Sequence, residues 1–379
     1  MTGLLNEAQI EYVLYHLNHH VKTLSSIRER FVFANQSTSE VDHVGKVIFK
    51  LSPQPLDLSQ NFKVGEIPIL FPLSDKKLLY EIDSKGNLIF HHDILKSVFY
   101  LLSGYQEFTN QSSKDALSRF SFTDSIQYKL ECTAKPIVNY YFQSIVEALE
   151  IFCTKHQITF HRNKLFQNFG FQLSHDIDVV DFYTYNYLGY KVKEIVGLRK
   201  SKLSFILNLK LFLKGLLKYL GISKRENPYW NFDYLLEIEN KNHFISIFFF
   251  LDQGVKNSDA NYSFEEQRMA ELFSTLKDGG HEIGFHGKVL SSTNAEIMEK
   301  SLKKLEAAAG ISVKGIRQHR LLWKHPHTAK IQQQNGFQYD STLSFAAHEG
   351  FRNSYCYPFK LYDFEADKMI NMWEIPLMV

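Results

Sequence analysis

In the stretch "NEAQIEYVLYHLNHHV", Ile10, Val13, Leu14 and Leu17 recur at helical spacing, which predicts an amphipathic helix. Short apolar runs follow in "KVIFKLS" and "IPILFPL" and read as strands. "LLYEIDSKGNLIFHHD" reads as a hairpin whose turn is Ser84-Lys85-Gly86-Asn87. "DILKSVFYLLSGYQEF" predicts a helix opened by an Asp93 cap, and "IVNYYFQSIVEALEIFCTKH" a second one placed after Pro136. Residues 1–165 are therefore expected to form a small α+β domain.

From about residue 168 the pattern changes to strand alternating with helix. "GFQLSHDIDV", "NHFISIFFFL", "HEIGFH", "SVKGIRQH", "FQYDSTLSF" and "MINMWEIPL" read as strands. Between them, "SFEEQRMAELFSTLKDGG" opens on a Ser263…Glu266 capping box and stops at Gly279-Gly280. "TNAEIMEKSLKKLEAAAG" repeats the device with Thr293…Glu296 and Gly310. "HPHTAKIQQQNG" is a short helix with Pro326 in its first turn and Gly336 closing it. Such alternation implies βαβ units and a parallel sheet, open or closed into a barrel. One segment breaks it. Residues 191–226 carry ten Lys/Arg and two Glu, with Lys210, Lys214 and Lys218 one helical turn apart among Leu, Ile and Phe. A basic amphipathic helix of this kind suits an anionic membrane surface; the plainer expectation is an inserted arm packed by its apolar face.

Composition narrows the function classes. The 379 residues are 44% hydrophobic and 22% charged, an ordinary globular balance. With 43 basic and 41 acidic side chains the net charge is +2, so nothing draws the whole chain to nucleic acid. Aromatic residues reach 15%, enough for a large core or a sugar-binding cleft. Cys132, Cys153 and Cys356 match neither a disulfide framework nor a zinc-binding CxxC pattern, so free thiols in a reducing compartment are expected. The start lacks the basic and apolar regions of a secretory signal, and no uncharged apolar run reaches the roughly 18–20 residues of a spanning helix. A cytoplasmic location is the expectation.

Candidate chemistry lies in where polar residues fall. Asp176 and Asp178 end the first strand of the second half, His286 ends "HEIGFH", Arg317 and His319 end "GIRQH", and Asp340 lies in "FQYDSTL". In a parallel α/β barrel the C-terminal strand ends converge on the face that holds the active site. Any one of these residues has a structural explanation, such as a loop cap or an ion pair, but four strands would each need their own. Carboxylate and imidazole together form an open N/O site for zinc or a similar ion. A second carboxylate outside the metal's shell can serve as general base. The i, i+2 spacing fits that division, although two such aspartates in a regular strand share one face. His281, preceding its strand, is expected to be structural, and His325 and His327 to be exposed at a helix start.

The motifs "LSHDID", "GHEIGFHGKVL", "GIRQHR" and "YDSTLSF" resemble those of the polysaccharide deacetylase (NodB-homology) family over residues 168–379. The resemblance implies an irregular (β/α) barrel, here over 166–379 with a helical insertion at about 182–226, preceded by the smaller domain. It also implies a metal-dependent hydrolase removing acetyl groups from an N-acetylated sugar or glycan precursor. By this similarity Asp176 is the catalytic base, Asp178 and His286 are metal ligands, and Arg317 and Asp340 form an orienting pair. The family's second metal histidine falls at Leu290, so His319 is the nearest substitute ligand and zinc the expected ion. No histidine occurs in "WEIPLMV", where the family's acid histidine is expected, and a last C-terminal segment is expected to be missing. The combination is similar to a divergent bacterial branch associated with cell-surface polysaccharide genes. Leu290 and the absent acid histidine keep open a second reading, a catalytically degenerate glycan-binding or scaffold protein on the same barrel. Expected partners are a carbohydrate and, through 191–226, a membrane surface.

Overall fold

In the computed structural model, residues 3–35, 43–59, 61–110, 114–115, 117–223, 227–254 and 260–378 are described. They form a mixed α/β protein with parallel strands, divided into two units. The first comprises Met1–Phe171, Leu290–Glu296 and Lys314–Val379; the second comprises Gln172–Val289 and Ile297–Val313. The first unit draws on both the N-terminal and the C-terminal parts of the chain. Its N-terminal helix, Glu7–Leu17, is capped by Asn6 as the capping box requires. That helix buries Tyr12 and His16 against a C-terminal hairpin of Phe359–Asp363 and Lys368–Glu374. The Tyr12 hydroxyl donates to the Lys360 carbonyl at 2.8 Å, and the Lys360 amide donates to His16 Nε2 at 2.9 Å. Burial pushes the His16 imidazole down to about 3, so it stays neutral and able to accept that bond.

The first unit holds a four-stranded sheet in the order Phe31–Ala34, Val47–Lys50, Leu88–Phe90, Tyr80–Ile82. The first three strands are parallel and the last closes the expected hairpin. Phe49 and Phe90 stack across it with centroids 4.7 Å apart. Asp93 caps the Ile94–Leu102 helix through the Lys96 amide at 2.8 Å, as its position predicts. A second sheet runs Gly315–Gln318, Tyr339–Asp340, Lys368–Glu374, Phe359–Asp363, the last strand antiparallel. The expected strand "FQYDSTLSF" pairs only at Tyr339–Asp340. Asp340 Oδ2 accepts from the Thr342 amide at 2.8 Å, an Asx-turn that diverts the backbone out of the ladder.

In the second unit, Leu173–Ile177, Ser246–Leu251 and Glu282–Gly287 are parallel neighbours in that order. Phe249 pairs with Gly284, and a Cβ there would lie 2.5 Å from the Phe249 ring. The glycine in "HEIGFH" therefore lets an aromatic ring lie across the next strand's backbone. In the first unit Gly315 does the same for Tyr339, whose ring a Cβ would overlap at 2.0 Å. The helix expected from Ser263 begins later, at Gln267. The Ser263 amide donates to Glu266 Oε1 at 2.7 Å, while the Ser263 hydroxyl accepts from Glu265, so the two form a turn that precedes the helix. Residues 182–223 contain two helices, Tyr185–Ile195 and Phe205–Tyr219, while 224–226 of the basic segment lie outside the described residues. Among the described residues, no helix is long and apolar enough to cross a membrane. Cys132 and Cys153 are buried free thiols, and Cys356 is free and half-buried.

Candidate metal and carbohydrate site

The second unit brings Asp176, Asp178 and His286 together. Strand alternation puts Asp176 and Asp178 on one face and Ile177, which is buried, on the other. Register sets Leu251 beside His286, so the imidazole reaches the same rim from two strands away. His286 Nε2 lies 3.2 Å from Asp178 Oδ1 and 4.0 Å from Asp176 Oδ2. The imidazole is buried, while the Asp176 and Asp178 side chains are 34% and 44% exposed. The site is thus closed beneath and open to water on the carboxylate side.

Several bonds hold this rim still. The Tyr262 hydroxyl donates to the Ile177 carbonyl at 2.6 Å and accepts from the Leu251 amide at 3.1 Å, tying the two strand ends. Asn261 and Asn227 clamp the loop after Asp178 through Val180, Asp181 and Phe182. Arg268 grips both Asp181 oxygens, at 2.9 and 2.7 Å. Asp252 also ends a strand here, but Lys288 Nζ at 2.6 Å and Ser301 at 2.8 Å engage it, so its role is structural. His281 is buried against the Ser246 amide and hydroxyl, the structural position expected of it.

A cleft of about 930 Å³ opens at Val179, the residue after Asp178. Its wall includes Tyr183, Tyr185, Tyr187, Tyr190, Tyr219 and Tyr229. Aromatic rings with a polar tip suit the alternating apolar and polar surfaces of a sugar. Sequence reading noted the aromatic excess without locating it. The spacing of "DFYTYNYLGY" is the signal that would have found it.

The remaining candidates belong to the first unit. Arg317 is buried; its Nε donates to the Ser341 carbonyl at 2.9 Å and Nη2 to the Ser341 hydroxyl at 3.0 Å. Asp340 accepts from Gln332 Nε2 at 2.8 Å and from the Thr342 hydroxyl at 2.7 Å. The arginine and the aspartate are therefore joined through the Ser341 backbone between them. His319, buried, opens a tight turn in which Arg320 and Leu321 both take left-handed φ, 60° and 53°. Two such residues in succession bend the chain sharply after the imidazole.

Sequence reading missed Glu374, Arg352 and Glu107, also in the first unit. Burial pushes the Glu374 carboxyl well above its ordinary range, and the Asp340 charge pushes it further; burial also raises Asp340. Burial thus disfavours the charged form of both carboxyls. Arg352 meets Glu107 through two bonds of 2.6 Å. Burial would raise Glu107, but the guanidinium outweighs it and holds the carboxyl below the usual range. His325 lies 3.9 Å from Glu107 and is buried, contrary to the exposure expected at a helix start; burial pushes it down to about 4. His327 is exposed as expected.

The Asp178–His286 pair fits a metal. Two donors each about 2.0–2.2 Å from one ion stand roughly 3.0–3.5 Å apart, and the observed 3.2 Å falls inside that span. Carboxylate oxygen with imidazole nitrogen is a borderline donor set suited to zinc and its neighbours. Leu290, at the expected second histidine position, is 63% exposed in the turn Val289–Ser292.

Residues 5–153 match a family model described as a family of unknown function, DUF7033. No curated protein matches the chain. A crystal structure from Mycobacterium smegmatis with the provisional name polysaccharide deacetylase is similar at 18% identity and a TM-score of 0.31. The similarity covers 54% of this chain and 57% of that one, so the chain spans a little over half of the structure it resembles.

Proposed function

We propose that the protein is a metal-dependent hydrolase that removes the acetyl group from an N-acetylated sugar, on an irregular (β/α) barrel of the polysaccharide deacetylase type. The observation that carries this reading is the buried His286 imidazole within 3.2 Å of one carboxylate and 4.0 Å of a second. Asp178 and His286 are the proposed ligands, with His319 the proposed third. A divalent ion held there would lower the pKa of a bound water and polarise a carbonyl oxygen. Asp176, next to the ligand aspartate but farther from the imidazole, is the proposed base that takes a proton from water at its carboxylate. Arg317, anchored by Ser341, and Asp340, anchored by Thr342 and Gln332, are the proposed orienting pair. The tyrosine-lined cleft beginning at Val179 supports a carbohydrate substrate. A cytoplasmic location, where glycan precursors are assembled, belongs to the same proposal.

The test is acetate release from N-acetylglucosamine oligomers by zinc-reconstituted protein. Release that stops on chelation and returns with metal is the expected result. Oligomer binding with no acetate released, even at high protein concentration, would favour the glycan-binding alternative. The cleft is the feature that favours that second reading.

A further inference from the structure

The Phe205–Tyr219 helix inverts the usual arrangement of a surface helix. Asn208 and Gly215 are its fully buried residues, with Leu211, Phe212 and Leu216 half-buried beside them. Asn208 is buried and donates to the Ser201 hydroxyl at 3.0 Å; Gly215 is buried so closely on the Tyr187 ring that a Cβ would come within 2.5 Å. Outward lie Phe205, Ile206, Leu209, Leu213, Leu217 and Leu220, all exposed, Ile206 by 65% and Leu213 by 50%. At about 100° per residue these six fall within a sector of about 120°. Lys210, Lys214 and Lys218 form the next row along one flank. The neighbouring helix and loop add exposed Val196 and Leu198.

Leu211, Phe212 and Leu216 pack inward in part, as the plainer expectation has it, but a further apolar stripe faces outward. A stripe of this size marks an interaction surface. Charge identifies the occupant. Residues 191–226 hold ten Lys/Arg against two Glu, and a second copy of the chain would bring like-charged rows together. An apolar sector edged by lysines instead matches the boundary between acyl chains and anionic headgroups. At 15 residues, with three lysines, the helix is suited to lie in that boundary and too short to cross it.

We infer that the helical pair Tyr185–Ile195 and Phe205–Tyr219 docks the protein on an anionic membrane through the outward face of the second helix. The same pair contributes Tyr185, Tyr190, Lys218 and Tyr219 to the cleft. Docking therefore sets the cleft at the membrane surface, and on the hydrolase reading its substrate is the headgroup of a lipid-linked glycan. The docking itself is independent of that reading and is tested without catalysis.

The experiment is co-sedimentation of the full chain with phosphatidylcholine vesicles and with vesicles in which about 30% of the lipid is phosphatidylglycerol. Binding at least about tenfold stronger to the anionic vesicles is expected, weakening with salt. Lys210→Glu with Lys214→Glu is expected to reduce it by about tenfold or more, and Leu213→Ser with Leu217→Ser likewise. All four side chains are exposed, so the variants should fold. Absent binding, equal binding to both vesicle types, or indifference to both variant pairs would overturn the inference. So would a solution dimer, without vesicle binding, that the leucine variants dissociate; the face would then belong to a second copy.

Discussion

Replacing Arg352 by methionine is expected to destabilise the first unit by about 3–5 kcal/mol, measured by denaturant unfolding. Arg352 and Glu107 are both buried, with side-chain exposures of 3% and 6%. Two parallel bonds join them, and Arg352 Nη1 donates a third to the Ser344 carbonyl at 3.0 Å. Removing the cation leaves a carboxylate in a dry site beside a histidine that burial keeps neutral. The pair's own net contribution is much smaller, because both groups were desolvated to form it. Adding Glu107→Leu to Arg352→Met should therefore recover most of the loss. A single variant within about 1 kcal/mol of the parent would contradict this account. The pH dependence has a definite sign. Glu107 is ionised to lower pH in the folded state than in the unfolded one, so its stabilisation is complete above the ordinary glutamate range and declines as pH falls below it.

The second large effect concerns chemistry. Asp176→Asn is expected to lower acetate release by about 10²–10⁴-fold while zinc content stays near that of the parent. Asp176 stands 4.0 Å from the imidazole, beyond ligand-pair distance, and its side chain is open to water. An amide keeps its shape but cannot accept the proton. Unchanged turnover in Asp176→Asn would remove it from the role of base. Loss of metal together with activity would make it a ligand instead.

Much of this site was legible because its parts are local. A run such as "LSHDID" reads as a strand with a polar end, and i, i+2 spacing on a strand fixes a shared face. "HEIGFH" carries its own punctuation after Gly279-Gly280, and His286 at its end lies 3.2 Å from Asp178 Oδ1. What was not legible depends on partners far along the chain. Glu107 and Arg352 are paired across 245 positions, and neither shows anything unusual in its own neighbourhood. Glu374 is one acidic residue near the end of a strand until Asp340 pairs with it. His325 was expected in water because helix starts usually are, yet Trp323 and Glu107 enclose it. Tyr12 and His16 likewise meet Lys360 across 348 and 344 positions. For the basic segment, periodicity showed two faces but not which one faces outward, because that depends on what Gly215 and Asn208 pack against.

Metal content decides the central claim most directly. The protein would be stripped with a chelator, reconstituted with zinc, freed of excess ion and analysed for metal per chain, alongside Asp178→Ala and His286→Ala checked for folding by circular dichroism. The account predicts one ion per chain in the parent and its loss in both variants. A parent that retains no stoichiometric ion, or variants that hold as much as the parent, would contradict it.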